Sequence, residues 1–247
     1  ILCNPLFLIY KISSIIALSK QLKKKFKKFS FVPCFWMATE DHDFEEIKSF
    51  NFQNSKLSFN SIEKGPVGDI STKEIDSTID NFASLLPDNN NSRELIELFK
   101  SSYLESDNLS QATRKLVHKL FEKYNLIIFD SNSKDLKNIF KPVIKAELCK
   151  NLIFNNSKSS IDGLKNKGYK IQVKPREINL FYITNGYRSR IIRNKNLFTT
   201  DDNLFSWNED EIDQELSNNP ERFSPNVLLR PIYQEYILPN LCYVGGA

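Results

Sequence analysis

The polar segment that follows the apolar residues 31–37 carries the clearest candidates for chemistry. In it, a histidine lies among carboxylates in the order Glu40, Asp41, His42 and Asp43. A histidine changes charge near neutral pH, and a neighbouring carboxylate can orient its ring, so this segment is a candidate general acid or base. Two alternatives stay open, because acidic residues also favour the first turn of a helix, and carboxylates with imidazole can bind a divalent metal.

Arg230 is the centre of a second group of candidates, next to a predicted helix start. Its guanidinium could bind a carboxylate or a phosphate, and Gln234 would lie one helical turn further along. Ser224 and Asn226 precede it and complete the predicted substrate-binding group. The structural alternative is that Ser224 caps a helix and that Arg230 forms an ion pair.

Asn4 and the pair Gly245 and Gly246 are the remaining candidates for substrate binding. Asn4 precedes Pro5 and suits the N-cap of a first helix, where backbone N–H groups favour anions. Glycines allow a ligand to approach the backbone closely, although a pair of glycines is also an ordinary turn.

Alternating strands and helices have to position these residues. Residues 31–37 and 126–130 are apolar runs typical of buried strands, and residues 34–37 are the most strand-like because Pro33 cannot donate in a ladder. Amphipathic helices are predicted from residue 4 to the lysine-rich segment 20–28, and at 71–86, 92–104, 109–124 and 133–155, the last kinked at Pro142. This alternation predicts an α/β fold with a parallel sheet.

In such a sheet, the loops that follow the strands share one edge, where ligands bind. Asp130 and Ser131 follow the second strand and belong to this edge. We therefore expect His42, Arg230 and Gly245 to meet at one rim and to form an anion-holding pocket.

The C-terminal half of the chain departs from this alternation. Asn185 and Gly186 lie between two strand-like runs at 178–192, which predicts an antiparallel hairpin because both turn positions need positive φ. An acidic helix is predicted at 209–217, a short helical turn at Ser224 and Pro225, and a helix from Pro231 to Pro239. Residues 241–244 are predicted to return to the sheet.

Composition excludes several classes of protein. The chain has 247 residues, of which 40% are hydrophobic and 26% charged, so it is long enough and apolar enough to fold around a core. A net charge of +4 argues against a general nucleic-acid binder, and the lysines of residues 20–28 are interpreted as a solvated helix end, with a nucleic-acid patch as the alternative. Residues 1–18 are interrupted by Asn4, Pro5 and Lys11, so no membrane span is predicted. They also lack the basic n-region and the small-residue cleavage site of a signal peptide, so no signal peptide is predicted.

The four cysteines, at positions 3, 34, 149 and 242, lie far apart and have no paired spacing. Buried, reduced thiols in a cytoplasmic protein are the simplest interpretation. The chain begins at Ile1 and ends directly after a strand-like run, so we expect a fragment of a longer protein.

Long and unusual strings of the chain resemble the bacillithiol biosynthesis cysteine-adding enzyme family. Residues 31–47 read FVPCFWMATEDHDFEEI, residues 222–235 read RFSPNVLLRPIYQE, and residues 238–246 read LPNLCYVGG. Residues 4–11 match the helix that follows a glycine-glutamine-glutamine loop in that family. The resemblance extends over essentially the whole chain, but that loop and the family's C-terminal coiled coil are absent, and Ala247 stands where the family usually has proline.

The resemblance implies a Rossmann-like core, with a parallel sheet, that is interrupted twice. The core parts would be residues 1–60, 126–149 and 222–247. A helical insertion would occupy residues 61–125, and a second insertion with the β-hairpin would occupy residues 150–221.

The implied reaction joins the carboxyl group of cysteine to the amine of glucosaminyl-malate. Because a free carboxylate is a poor acyl donor in water, we expect ATP to activate it, which is a chemical inference of our own, and we expect no metal. Helix N-termini at the Rossmann-like edge would hold the phosphates. His42, with Glu40 beside it, would manage protons or contact phosphate, and Asp41 and Asp43 would orient His42 or the amine. Arg230 would bind a carboxylate of malate or cysteine. The expected partners are small molecules, with no nucleic acid and no membrane, and a homodimer could form through the missing coiled coil.

Two other functions stay open. A non-catalytic scaffold would use the acidic loop and the lysine-rich helix for protein contacts, and it would give no heat with ATP, cysteine or glucosaminyl-malate. A nucleic-acid module would bind in a salt-dependent manner through Lys23, Lys24 and Lys27.

Overall fold

A computed structural model describes residues 5–184 and 186–245 of the chain. The chain divides into unit 1, residues 1–131 with 242–247, and unit 2, residues 132–241. Among the described helices, none is long and apolar enough to pass through a lipid bilayer.

Unit 1 alternates helices with short strands. Its elements are α1 (Pro5–Lys25), β1 (Cys34–Met37), α2 (Phe44–Ile47), β2 (Ser49–Phe52), β3 (Ser55–Ser58), α3 (Asp76–Ser84), α4 (Asn90–Tyr103), α5 (Leu109–Phe121) and β4 (Ile127–Asp130). The first helix is confirmed, and its proposed N-cap, Asn4, lies outside the described residues. Ile12 and Ile16 of α1 are buried against Val117 and Phe121 of α5, which fixes the helix on the unit.

β1 and β4 pair in parallel, as the sequence predicts. The register runs from Cys34 opposite Ile127 to Met37 opposite Asp130. Both strands lie in the predicted apolar runs, and together with the flanking helices they confirm the α/β class with a parallel sheet. The carboxyl ends of the two strands therefore meet at one edge of unit 1.

The helical part of unit 1 differs from the prediction at its beginning. A helix from residue 71 is wrong, because Ser71 forms a β-bridge with Asn108 and the Thr72 hydroxyl donates to the Ser106 carbonyl, so α3 begins only at Asp76. The next two helices are confirmed, and the side chains of Asn89 and Asn108 cap them.

β2 and β3 form an antiparallel hairpin that the sequence analysis does not predict. Its turn contains Gln53 with φ of 52°, a conformation that is uncommon without glycine or asparagine. The hairpin is held by aromatic packing, since the rings of Phe50 and Phe52 lie 5.7 and 5.1 Å from that of Phe82.

Unit 2 combines helices with an antiparallel sheet. Its elements are α6 (Lys134–Lys150), α7 (Leu152–Asn166), β5 (Leu180–Thr184), β6 (Tyr187–Asn194), β7 (Leu197–Thr200), β8 (Ser206–Trp207), α8 (Glu209–Asn218), β9 (Phe223–Pro225) and α9 (Arg230–Ile237). Within the described residues, the strand order is β8-β7-β6-β5-β9. The predicted hairpin is confirmed as β5 and β6, with Thr184 opposite Tyr187 and φ of 73° at Gly186, while Asn185 lies outside the described residues.

Three further predictions need correction in the C-terminal half. The single helix 133–155 is wrong, because Asn151 adopts a left-handed conformation and separates α6 from α7. The helical turn at Ser224 and Pro225 is wrong, because both residues lie in β9 and pair with Phe181 and Leu180 of β5. The strand at 241–244 is also wrong, since the described residues 241–245 form neither strand nor helix and Tyr243 is 76% exposed.

The cysteines are less buried than expected. Cys149 and Cys242 are exposed and Cys34 is half-buried, while Cys3 lies outside the described residues. Burial raises the pKa of the Cys34 thiol. Cys149 escapes burial because it lies on the outer side of α6, next to the buried Leu148.

Candidate functional site

The edge where β1 and β4 end carries a fixed carboxylate. The Thr39 hydroxyl donates to Oδ1 of Asp130, and the Ser110 hydroxyl donates to its Oδ2 at 2.5 Å. The Ser131 hydroxyl lies 3.3 Å from that of Thr39. Asp130 is thereby held by hydroxyl groups from the loop after β1 and from α5, and the expectation that Asp130 and Ser131 lie on this edge is confirmed.

A short segment around Gly68 packs tightly over Thr39. The Gly68 N–H donates to the Thr39 carbonyl at 2.9 Å, and the Val67 N–H donates to the Asp41 carbonyl at 2.6 Å. A β-carbon on Gly68 would lie only 2.6 Å from the Thr39 β-carbon, so the approach requires glycine. Asp69 follows, and its pKa is raised by desolvation and by the negative charge of Asp130.

A cavity of about 170 Å³ opens beside this edge, entirely within unit 1. The hydroxyl-bearing residues of its lining are Thr39, Tyr103, Ser110 and Thr113, and most of the remaining wall is apolar. Because Thr39 and Ser110 also donate to Asp130, the cavity and the carboxylate belong to one constellation. The sequence analysis places Asp130 and Ser131 on this edge but does not predict Ser110 or Gly68, since neither lies in a recognisable motif.

The four predicted catalytic residues lie in this loop but in different surroundings. Glu40 is 1% exposed, whereas His42 and Asp43 are exposed. The Oδ1 of Asp41 lies 3.6 Å from His42 Nδ1 and accepts the backbone N–H of His42 at 3.2 Å. Asp43 precedes α2 without capping it through its side chain. The structure therefore brings Asp41 and His42 together, while Glu40 turns into the protein.

In unit 2, the predicted substrate-binding residues surround the start of α9. Arg230 is the first residue of that helix and is half-buried, and Gln234 follows one turn later. Asn226 is the residue that caps this region, since its Oδ1 accepts the N–H groups of Leu228 and Leu229. Ser224 does not cap a helix: it is fully buried in β9, and its hydroxyl makes no hydrogen bond with the described residues.

A buried carboxylate supports this arrangement and was not predicted. Glu147 is fully buried, and its Oε1 accepts the backbone and side-chain N–H groups of Asn179 at 2.8 Å each. The Asn179 Oδ1 accepts an N–H of the Asn226 side chain at 2.9 Å, and the Asn226 carbonyl accepts the Arg230 N–H at 2.9 Å. We call Glu147, Asn179 and Asn226 the Glu147 network. Its signal in the sequence is an acid beside Leu148 on the stripe of buried residues that also contains Phe140 and Ile144.

The last predicted residues cannot complete the pocket in the described part of the chain. Gly245 is exposed, and a β-carbon added to it would meet only the Tyr243 ring, at 3.3 Å, so a close approach of other backbone does not explain this glycine. Asn4 and Gly246 lie outside the described residues. The common rim of His42, Arg230 and Gly245 joins residues of both units and stays a prediction.

Among residues 5–184 and 186–245, no group of three or more histidine, cysteine, aspartate or glutamate side chains is arranged to hold a metal ion. The expectation that no metal takes part stays a prediction.

Comparison with known proteins gives a consistent result. The family model described as "Bacillithiol biosynthesis BshC, N-terminal Rossmann-like domain" matches residues 1–247. The chain is 47% identical over 243 residues to a Flavobacterium johnsoniae protein named "Putative cysteine ligase BshC", and this alignment covers 98% of the chain and 46% of that protein. Proteins of the same name from Flavobacterium psychrophilum and Bacillus cereus are 48% and 29% identical, over 98% and 100% of the chain and 45% and 48% of those proteins. The chain thus spans about half the length of these relatives.

Proposed function

The chain belongs to the family of bacillithiol biosynthesis BshC N-terminal Rossmann-like domains, and from this premise we propose that it is the Rossmann-like part of a cysteine ligase. The observation that carries the proposal is the match of this family over all 247 residues, together with the names of relatives that are 47% and 48% identical. The parallel pair β1 and β4, with polar loops at its carboxyl edge, is the kind of element that presents a ligand site in such folds.

The proposed reaction forms an amide between the cysteine carboxyl group and the amine of glucosaminyl-malate. ATP would first convert the carboxylate into an acyl phosphate or an adenylate. The amine would then attack the carbonyl carbon, so that one C–N bond forms, the C–O bond to phosphate or AMP breaks, and the amine loses a proton to a base.

In this proposal, His42 is the base that accepts that proton. Its ring is exposed and therefore accessible to a substrate, and Asp41 lies 3.6 Å from Nδ1 and can orient it. Asp43 is exposed in the same loop and would bind the amine. Glu40 is buried and would stabilise the conformation of the loop.

Arg230 and Gln234 would bind a carboxylate of the malate or cysteine group. Both are partly accessible on α9, and a guanidinium matches a carboxylate with two parallel hydrogen bonds. Ser224 and Asn226 are proposed to act by positioning them, since Ser224 is buried and Asn226 holds the backbone at the helix start. Asn4, Gly245 and Gly246 stay proposed substrate contacts.

The proposal includes a cytoplasmic location, because a thiol substrate persists in a reducing compartment. It also includes small molecules as partners and excludes a nucleic-acid or membrane partner. A homodimer through a coiled coil is proposed only for the protein at the length of its relatives.

The test is an assay of the intact protein with cysteine and glucosaminyl-malate, with and without ATP, in which mass spectrometry detects the amide product. We expect product only with ATP, and His42→Ala should keep the fold and lose most of the turnover, by about 10²-fold or more. His118→Ala, at an exposed histidine of α5, is the matched control and should keep full turnover.

Each outcome has a defined meaning. No amide product with any nucleotide, and no heat on titration of ATP, cysteine or glucosaminyl-malate, would favour the scaffold and contradict the ligase. Full turnover of His42→Ala would remove the histidine from the mechanism and leave the reaction itself in place.

A further inference from the structure

The walls of the cavity beside Thr39 restrict what it can bind. Its inner side is formed by the rings of Phe44, Phe59 and Tyr103 together with Met37, and three of these four residues are almost fully buried. The phenol of Tyr103 is neutral at physiological pH, since its ordinary pKa of 10 is already high and burial raises that pKa further. The interior therefore offers an apolar, uncharged surface on which a sulfur atom can pack.

Such walls disfavour the polar substrates of the proposed reaction. A sugar or a malate group placed there would exchange several hydrogen bonds with water for contacts with aromatic rings, which is unfavourable. A volume of about 170 Å³ is also small for a nucleotide, since ligand pockets for larger molecules range from about 300 to 1,000 Å³.

The polar side of the cavity has the opposite character. Thr39 and Ser110 line the cavity and donate to the Asp130 carboxylate, and Asp69 follows the lining residue Gly68. Two carboxylates near the cavity repel phosphate and carboxylate groups and attract an ammonium group. The cavity thus combines a small apolar interior with a polar side that favours a positive charge.

We propose that this cavity binds a small α-amino acid, with its apolar or thiol side chain inside and its ammonium group on the side of Thr39, Ser110 and Asp130. The inference rests on the proposed function, in which the amino acid is cysteine. It assigns the acyl-donor half of the reaction to unit 1 and leaves the carboxyl group outside the cavity, where it can be activated.

The lining also gives a reason for preferring a thiol. A sulfur atom makes favourable contacts with aromatic rings, and the rings of Phe44, Phe59 and Tyr103 line the cavity. A serine hydroxyl is smaller and more strongly hydrated, so we expect serine to bind about tenfold more weakly than cysteine. L-2-aminobutyrate, whose ethyl group has nearly the shape of the thiol side chain, should bind within about tenfold of cysteine.

The experiment titrates the intact protein with L-cysteine, L-2-aminobutyrate, L-serine and L-aspartate by calorimetry and measures KM for cysteine in the amide assay. Thr113→Leu adds bulk to the cavity from α5, and Ala38→Leu adds it from the end of β1. Both variants should weaken cysteine binding by at least about tenfold. His118→Leu makes a comparable change on the exposed side of α5 and should leave cysteine binding unchanged.

Several results would overturn the proposal. One is that both cavity variants bind cysteine as tightly as the wild type while their thermal midpoints, which report on folding, are unchanged. Another is that the wild type binds aspartate as tightly as cysteine. If amide product forms but the cavity variants keep the wild-type KM for cysteine, the cavity assignment fails and the proposed function stands. If no amide forms but cysteine binds and the cavity variants abolish binding, the proposed function fails and the cavity assignment stands.

Discussion

Thr39 connects the end of β1 with everything else at this edge. Its hydroxyl donates to Asp130, its carbonyl accepts from Gly68, and its side chain lines the cavity. A residue with three such contacts fixes a loop more firmly than any of them alone, because each contact reduces the conformations left to the others. The loop that carries His42 therefore starts from a rigid point.

Gly68 provides a test of this tight packing. In Gly68→Ala, the new β-carbon would lie 2.6 Å from the Thr39 β-carbon, so the segment has to move. We expect a loss of stability of about 1–3 kcal/mol, measured by urea denaturation, and weaker binding in the cavity.

Gly163→Ala is the matched control for this change. Gly163 lies in α7, and a β-carbon there would have no atom within 4 Å. Replacing it should be neutral or stabilise the protein by up to about 1 kcal/mol, because alanine favours a helix. Equal effects of the two substitutions would contradict a special role for the contact between Gly68 and Thr39.

At the scale of elements, the Glu147 network joins four segments of unit 2. Glu147 lies on α6, its Oε2 accepts the Ile153 N–H at the start of α7, and its Oε1 holds Asn179 before β5. Asn179 in turn holds Asn226, which precedes α9. One buried carboxylate thus links α6 to the start of α7 and, through Asn179, to the segment that precedes α9.

Glu147→Leu removes this acceptor. Buried N–H groups of Ile153 and Asn179 would lose their partner, each at a cost of about 1–3 kcal/mol, so we expect the free energy of unfolding to fall by at least about 3 kcal/mol. Hydrogen exchange should accelerate at the Ile153 and Asn179 amides and much less in β7. Glu209→Leu, at an exposed glutamate of α8, is the control. If the Ile153 and Asn179 amides of Glu147→Leu were as well protected from hydrogen exchange as those of the wild type, the Glu147 network would not be what stabilises these segments.

A second polar cluster makes unit 2 sensitive to pH. Glu215 Oε1 accepts from Tyr182 at 2.8 Å and from Arg222 at 2.9 Å. Burial raises the pKa of Glu215, but the hydrogen bonds from Tyr182, Arg222 and Asn219 outweigh it, so the pKa lies below its ordinary value of 4.5. Burial, and then the hydrogen bond to Glu215, raises the pKa of Tyr182 to about 12.

These directions define where the cluster stabilises the protein. The contribution of Glu215 is present above pH 4.5 and is lost as the pH falls through its lowered pKa, whereas that of Tyr182 is present below pH 10 and is lost as the pH rises towards 12. Glu215→Gln should lower the thermal midpoint at pH 7. As the pH is lowered, the thermal midpoint of this variant should also fall less steeply than that of the wild type. Glu235→Gln, at an exposed position of α9, should change neither. If the thermal midpoints of Glu215→Gln and wild type fell equally steeply as the pH is lowered, this assignment would be contradicted.

At the scale of the whole molecule, the sequence predicts those features that depend on neighbouring residues. The apolar runs at 34–37 and 126–130, the Asn185-Gly186 hairpin and the amphipathic helices predicted at 92–104 and 109–124 rest on local patterns, and the structure contains the corresponding elements. The turn at Gln53 was not predicted in this way, because glutamine rarely adopts the positive φ found there and because aromatic packing against the distant Phe82 holds the hairpin.

The candidate site could be predicted only in part, because only some of its contacts depend on residues that are neighbours in the chain. Asp41 and His42 follow β1 and Asp130 is the last residue of β4, so their place on the edge was predictable. Ser110, Gly68 and Glu147 act through partners that are distant in the chain, such as Asp130, Thr39 and Asn179. Only a fold can show that a serine in an unremarkable helix meets a carboxylate 20 residues later.

Cys149 and Cys242, which are exposed in the described part of the chain, have a practical use. Cys149 belongs to unit 2 and Cys242 to unit 1, so a nitroxide label on each sulfur would place one reporter on either unit. Both should react faster with a maleimide than Cys34, whose raised pKa leaves less thiolate. In a variant that also carries Cys3→Ser and Cys34→Ser, pulsed electron resonance would measure the distance between the two labels. Repeating the measurement with nucleotide or amino acid added would test whether either ligand changes that distance.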